Sequence, residues 1–303
     1  MSVLAIIAAL LLEQWRPLAD SKAVQSVMAR CAGWLEERFN AGEARHGAIA
    51  WAVAVVPVVL GSLLLYALLY RVHPLVALAL NVGALYLTLG FRQFSHFFTG
   101  IQNALKAGEL ERARDLIGAW RGESAEHRAR EEVVRLAIEE ALLASHRHVF
   151  AVLFWFVLLP GPSGALLYRL SVFLARRWGG LGAFGDFAAR VNYWMEWPAV
   201  RLTAAAFAVV GDFEDAIYCW RTQAASWRDP LAGIVLAAGA GAMGVRLGMP
   251  LEEEAGGAEP RPELGLGESA DAPFLDSTVG LLWRALVLWV FVLIMLGIAR
   301  ALG

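Results

Sequence analysis

Residues 48–91 are the most apolar stretch of the chain and carry a single charge, Arg71, beside His73 and Pro74. A helix needs about 20 predominantly apolar residues to cross the core of a bilayer. Residues 48–70 reach that length and residues 73–90 come close, with a tight turn between them. The pattern predicts a transmembrane helical hairpin. Ahead of it, residues 2–12 are apolar but too short to span alone, and Glu13, Gln14, Trp15, Arg16 and Pro17 follow. No basic start or clear cleavage site marks a removable signal, so a retained helix that dips into or leans on the membrane is expected. Val24, Val27, Met28, Cys31, Trp34, Leu35 and Phe39 recur at three- and four-residue steps, opposite Arg30, Glu37 and Arg38. That spacing predicts an amphipathic helix over residues 21–40.

Beyond the hairpin the polarity rises. Residues 92–147 hold Lys106 and eight arginines (Arg92, Arg112, Arg114, Arg121, Arg128, Arg130, Arg135 and Arg147), whereas the hairpin turn holds only Arg71. Loops rich in Lys and Arg stay in the cytoplasm. This helical region and the N-terminal segment are therefore expected on the cytoplasmic side, which an even number of crossings between them allows. A helix start is expected at residues 108–114 and a break at residues 122–126. Ser124 is the expected N-cap of a helix over residues 125–145.

Residues 149–175 are long enough to span, but Pro160, Gly161, Pro162, Ser163 and Gly164 interrupt their middle. Such a run does not continue a helix. Two arrangements fit: a re-entrant pair of half-helices over residues 149–159 and 165–175, or one kinked span. Residues 197–210 read as a shorter apolar helix with Arg201 near its start. Residues 231–247 are rich in alanine and glycine, which let helices approach closely in lipid. Residues 252–276 are acidic and rich in glycine and proline, with Arg261 the lone base, and predict a solvated loop. Residues 281–298 predict the final span, with Arg284 near its start.

The fold class expected is all-α, a polytopic membrane helical bundle with a broken helix and cytoplasmic amphipathic helices. It reads as one membrane domain over residues 1–303. Its parts are a transmembrane hairpin (48–91), a cytoplasmic helical region (92–148), a broken-helix and Ala/Gly-helix core (149–248), an acidic loop (249–280) and a final transmembrane helix (281–299).

Composition agrees. The chain is 58% apolar, above the 45–50% or so of soluble domains. Its formal net charge of −2 offers no basic field for nucleic acid. Cys31 and Cys219 stand far apart, which gives neither a disulfide framework nor a metal-ligand spacing. No phosphate-binding glycine motif and no Ser-His-Asp order point to another enzyme class.

Four motifs occur in an order and spacing that resemble the CobD/CbiB superfamily, which also contains AmpE. They are LFWFVLLPGPSGALLYRL at 153–170, AARVNYWMEWPAVRL at 188–202, GAMGVRLG at 241–248 and LLWRALVLWV at 281–290. The resemblance covers almost the whole chain. It implies one of two things. CbiB-type members are membrane enzymes of cobalamin biosynthesis that join an aminopropanol unit to a corrinoid carboxylate, with nucleotide activating the acid. AmpE is a bacterial inner-membrane protein tied to signalling of cell-wall recycling and β-lactamase induction.

The polar positions divide the two branches. Where CbiB-type enzymes carry an acid–amide cluster, this chain has Leu142, Leu143, Ala144 and Arg147. Their paired aspartates fall at Asn192 and Tyr193, and their Asn and Glu near the Ala/Gly helix fall at Leu231 and Leu236. Carboxylates bind the magnesium that accompanies nucleotide phosphates, and leucine does not replace them. LLLEQW at 10–15, EWPAVRL at 196–202 and AFAVVGDFEDA at 206–216 look like AmpE, while GAMGVRLG looks like CbiB. The leading expectation is an inner-membrane, multi-pass protein without CbiB catalysis, acting as an AmpE-like regulatory, ligand-sensing or scaffolding component. The alternative is a diverged adenosylcobinamide-phosphate synthase. A transporter, with the broken helix lining a cavity, is a third idea.

Six residues are candidates for ligand binding: Arg190, Arg201, Glu196, Glu139, Arg169 and Arg147. The resemblance matches Arg190 and Arg201 to family arginines, and guanidinium groups grip phosphate or carboxylate bidentately. A lone charge in an apolar helix such as Arg201 is expensive, and Glu196 is its local partner. Glu139 falls on a family glutamate; its plain reading is a surface salt bridge to Arg135. Arg169 follows Tyr168 where the family shows a Tyr–basic pair. His146 and His148 flank Arg147, but positions i and i+2 of a helix face different ways, so no metal site is expected, and no cofactor. Arg147 then reads as a basic residue at the mouth of a span. The expected partners are the lipid bilayer, an anionic small molecule or a membrane or cytoplasmic protein, and a second copy of the chain; nucleic acid is not expected.

Overall fold

A computed structural model of the chain describes residues 2–15, 22–40, 42–251 and 261–302. The first helices are α1 (Ser2–Trp15), α2 (Lys22–Phe39), α3 (Ala44–Val72), α4 (Pro74–Thr88), α5 (Phe91–Lys106) and α6 (Leu110–Arg121). Next come α7 (Arg130–Ser145), a π-helical turn (His146–Phe150), α8 (Ala151–Leu158), α9 (Ser163–Trp178), α10 (Ala183–Val210), α11 (Phe213–Gln223) and α12 (Pro230–Met243). Three short strands, β1 (Val245–Gly248), β2 (Glu263–Leu264) and β3 (Glu268–Ser269), precede the last helix, α13 (Ala272–Leu302). The chain divides into two compact units, residues 1–92 with 151–198 and residues 93–150 with 199–303.

Among the described residues, three helical stretches are long and apolar enough to cross a membrane: Ala44–Val72, Arg130–Leu158 and Ala272–Ala299. The fold is thus the expected all-α, polytopic one. The most apolar window of Ala44–Val72 is only 6% buried, so Leu60, Leu64 and Leu68 stand exposed in the way lipid-facing side chains must. The last stretch begins earlier than residue 281, and the middle one begins inside the region read as cytoplasmic.

In the first unit, the predicted hairpin forms as α3 and α4. His73 joins them: its Nδ1 accepts the Leu75 N–H at 3.2 Å and caps α4, while Pro74 occupies the first turn, where its missing donor is no loss. Helix α1 packs along α4. It buries Ala5, Ile6 and Ala9, and α4 buries Ala77, Asn81, Leu85 and Thr88, which lie on one helical face.

The amphipathic α2 differs from its expected face. Ala32 and Leu35 are buried, whereas Val27, Cys31 and Trp34 are exposed. Glu36 belongs to the inward face, where its carboxylate accepts from Arg177 Nε at 2.8 Å and Trp178 Nε1 at 2.9 Å. A polar residue with inward partners has rotated the helix away from its apolar stripe. Val24, part of that expected face, has a side chain outside the description.

The broken helix resolves into a hairpin. A Cβ on Gly164 would lie 1.8 Å from the Trp155 carbonyl oxygen. Nine residues along one continuous helix would separate these positions by about 13 Å. Helix α9 therefore folds back on α8, and the kinked single span is not what forms.

In the second unit, α6 ends at Gly122, as the break predicts. Helix α7, however, starts at Arg130 and not at residue 125. Glu132 Oε2 accepts the Ala129 N–H at 3.1 Å, which fixes the N-terminus there and leaves Ser124 outside the helix. Residues 231–242 of α12 are all buried. Its small residues serve close approach: a Cβ on Gly241 would lie 2.5 Å from the Asp215 carbonyl oxygen, and one on Gly233 2.2 Å from that of Ala224. The strands are an addition to the all-α expectation. β1 takes the centre of the order β2-β1-β3, antiparallel to β2 and parallel to β3. They occupy part of the segment read as an acidic loop, of which residues 252–260 lie outside the described residues.

Candidate functional site

The second unit holds a cleft of about 730 Å³. Arg121 and Glu123 reach it from the end of α6, and Glu139, Glu140 and Leu143 from α7. Arg147 comes from the π-helical turn. Ser226, Trp227, Arg228 and Asp229 come from the segment after α11, Ala232 and Leu236 from α12, and Arg261 and Pro262 from just before β2. Glu139, Leu143 and Arg147 are spaced by fours, so α7 and its continuation turn one edge toward the cleft. π-helical turns insert a residue into the helical ladder and re-aim the side chains that follow; here that turn carries Arg147.

Glu139 organises the floor. Its side chain is 2% exposed, and it lies in an ion pair with Arg261. The other carboxylate oxygen accepts the Gly248 N–H at 2.8 Å. Gly248 has φ +74°, and a Cβ there would meet the Pro262 carbonyl oxygen at 2.0 Å. Glycine at this place lets the chain turn after β1, present its N–H to Glu139, and lie against the strand that follows Arg261. The Arg261 guanidinium sits 5.2 Å from the centroid of Trp227, a cation–π stack. Arg135 completes the cluster: its Nη2 donates to the Pro250 carbonyl at 3.3 Å and lies 3.7 Å from Glu132. Glu139 is thus a buried charge paired with an arginine 122 residues away, not a surface carboxylate bridged to Arg135.

The remaining charges fall into two groups. Arg121 donates to Glu123 from Nε and Nη2, at 3.3 and 3.2 Å. Asp229 Oδ1 accepts the Leu231 N–H at 3.0 Å and caps α12. Glu140 and Arg147, by contrast, have no ion-pair or hydrogen-bond partner among the described residues. The cleft therefore offers an unpaired carboxylate and an unpaired guanidinium, with Leu143 and Leu236 as apolar wall.

Of the six residues the sequence singled out, the structure brings Glu139 and Arg147 into this cleft. Glu196 and Arg169 belong to the first unit. Glu196 is buried and accepts the Tyr168 hydroxyl at 2.7 Å; Arg169 is half-buried on α9. Arg190 is exposed in the first unit, and Arg201 is half-buried in the second. None of these four lines the cleft. His146 is buried and its Nδ1 lies 2.9 Å from Thr203 Oγ1, whose hydroxyl donates to the Ala199 carbonyl. Among the described residues, no group of three or more His, Cys, Asp or Glu side chains gathers as a metal site. Sequence reasoning missed Trp227, Arg228, Asp229 and Arg261 as site residues. The one signal was Arg261 as the lone base of an acidic segment.

Comparison with known proteins places these residues in a family context. The family model described as CobD/Cbib protein matches residues 4–296. A protein of Stutzerimonas stutzeri named Cobalamin biosynthesis protein CobD is 36% identical over 301 residues, 96% of each chain. A protein of the same name from Chromobacterium violaceum is 35% identical over 254 residues, covering 80% of this chain and 77% of its own. One from Mycobacterium tuberculosis is 31% identical over 238 residues, 74% of each. No solved structure matches the chain.

Proposed function

The chain belongs to the CobD/CbiB family, and from that premise we propose that it is a membrane-embedded cobalamin-biosynthesis protein of the CobD type. Its reaction would be the one implied by the CbiB resemblance: nucleotide activates a corrinoid carboxylate as an acyl phosphate or acyl nucleotide, and the amine of an aminopropanol unit attacks the acyl carbon. The amide C–N bond forms as the acyl–oxygen bond breaks and the phosphate or nucleotide leaves, with one proton lost from the amine. The carrying observation is the relative named for cobalamin biosynthesis, similar along 96% of both chains. The cleft supports this reading over the regulatory one. Carboxylates are absent from Leu142, Leu143, Leu231 and Leu236, yet Glu139, Glu140, Glu123 and Asp229 border the cleft from other positions.

The chemistry asks for three things. An oxyanion must be held, and Arg147 and Arg261 are guanidinium groups facing the cleft. A proton must leave the attacking amine, and the unpaired Glu140 is an acceptor for it. A nucleotide brings a divalent cation, which binds one or two carboxylates together with phosphate oxygens. Asp229, not held by a guanidinium among the described residues, fits that need. The cation would neutralise phosphate charge; the protein's residues bind, orient and accept the proton.

The assay uses the full chain in detergent or nanodiscs with a corrinoid acid, aminopropanol or its phosphate, and nucleotide. A product of the amide's mass, formed above a boiled control and reduced at least about 100-fold by Glu140→Gln, is the expected result. No product with either amine overturns the synthase. It would then favour the AmpE-like binding role, which retains one observation: Leu143 and Leu236 wall the cleft where CbiB-type enzymes are polar. The proposed location is the bacterial inner membrane, multi-pass, with the segment between α6 and α7 in the cytoplasm. Glu126→Cys, at an exposed position, should resist an impermeant thiol reagent in intact cells. Efficient labelling would reverse the orientation.

A further inference from the structure

The Arg261 guanidinium has two edges, and only one of them is used. Nη2 is committed to Glu139. Nη1 is buried and has no hydrogen-bond partner among the described residues. A buried guanidinium donor without an acceptor is rare and asks for an explanation. Three contacts keep the group where it is. Glu139 holds one edge, the guanidinium carbon sits over the Trp227 ring 5.2 Å from its centroid, and the Gly248 N–H holds the carboxylate in turn at 2.8 Å. Nothing in this arrangement consumes Nη1, and Arg261 lines the cleft. Arg147 lines the same cleft, unpaired.

We infer that Arg261 and Arg147 form an oxyanion subsite, and that Glu139 and Trp227 are positioning residues that present the free edge of Arg261 to it. The ligand group is a phosphate or carboxylate. A planar guanidinium held by an ion pair on one edge and seated over an aromatic ring is pre-organised to donate from its other edge. Arg147 supplies the second positive charge. The inference rests on the reading of this cleft as the substrate site, but its claim is binding, not turnover. It also explains why the carboxylate at position 139 is buried: its task is to hold an arginine, so substrate need not touch it.

The test is tryptophan fluorescence of the full chain in detergent, titrated with inorganic phosphate in one arm and acetate in the other. Trp227→Phe identifies the part of the signal that arises beneath Arg261. A saturable change in either arm is expected, and the stronger arm names the oxyanion. Arg261→Lys keeps the charge and the pair with Glu139 but lacks the second edge. It should weaken binding at least about tenfold with unchanged thermal unfolding, and Arg147→Gln should weaken it similarly. Glu139→Gln should weaken binding, and Glu139→Asp should restore part of it, which a purely structural loss would not do. If Arg261→Lys does not fold, Arg147→Gln carries the test. Binding within twofold of wild type in both arginine variants overturns the subsite, as does a wild-type protein that responds to neither anion. Turnover without anion binding removes this inference alone; anion binding without turnover removes the synthase reading alone.

Discussion

Two buried carboxylates, Glu196 in the first unit and Glu139 in the second, are held by different means. Glu196 takes a hydrogen bond from the neutral hydroxyl of Tyr168 on a helix of the same unit. Glu139 takes a backbone N–H and a guanidinium, and both come from the segment around the short strands. The Tyr168 hydroxyl ties two helices of the first unit together. A charged donor beside a cleft commits the carboxylate to its partner and leaves that partner's far side free. The first arrangement reads as architecture, the second as equipment for binding.

The largest expected effect tests that contrast directly. Removing one member of a buried ion pair strands the other and costs about 3–5 kcal/mol. Glu139→Ala should lose stability in that range by denaturant unfolding, because the Arg261 side chain is only 12% exposed. Glu139→Leu with Arg261→Met should recover much of it, since an apolar pair of similar size leaves no charge stranded. Tyr168→Phe should cost less, about 1–3 kcal/mol, the range for a buried acceptor that loses one donor. If Tyr168→Phe proves the more damaging of the two, the assignment of roles is reversed.

A third comparison sets two glycines against each other. Gly248→Ala places a Cβ 2.0 Å from a backbone oxygen at φ +74°, so it should destabilise by more than about 1 kcal/mol. It should also weaken phosphate or acetate binding, because Gly248 holds Glu139. Gly61, inside α3, has nothing within 4 Å of its Cβ position. Gly61→Ala should be neutral or stabilising by up to about 1 kcal/mol, the helix-propensity gain. Equal losses at the two positions would remove the argument that the turn at Gly248 is built for Glu139.

Elements also differ in how far the sequence discloses them. Helices α3 and α4, the break after Leu158 and the small-residue α12 follow from local runs of apolar, proline and glycine residues, and periodicity reports such runs well. The ion pair between Glu139 and Arg261 joins positions 122 residues apart, and no local pattern announces it. Strands of two to four residues are too short for an alternation to register. The buried face of α2 departs from its apolar stripe because Glu36 points inward to Arg177 and Trp178, a contact invisible along the helix itself. The Glu139 position is legible through the family resemblance, as a position where the family carries a glutamate; its partners are not. Arg147 was legible as a basic residue at a helix end, and its place in the cleft depends on the π-helical turn.

The smallest expected effect concerns the two thiols, one in each unit. Cys31 is exposed on α2, and Cys219 is buried on α11. Burial, and then the negative charge of Asp215, push the Cys219 thiol up to about 11. A thiol titrates near 8.5 when unperturbed, so at neutral pH Cys219 stays protonated, and the thiolate is the reactive form. A maleimide at pH 7.5 should label the native chain once, at Cys31, and a second time only after unfolding. The sign of the linked stability follows from the raised value. The folded state holds the proton longer than the unfolded state does, so the contribution of Cys219 is complete below about pH 8.5 and is lost as pH rises toward about 11. Between those limits wild type should lose more stability than Cys219→Ala. Two rapid labels on the native chain at pH 7.5 would mean that α11 opens readily, and that the second unit is not the rigid support the Glu139 cluster requires.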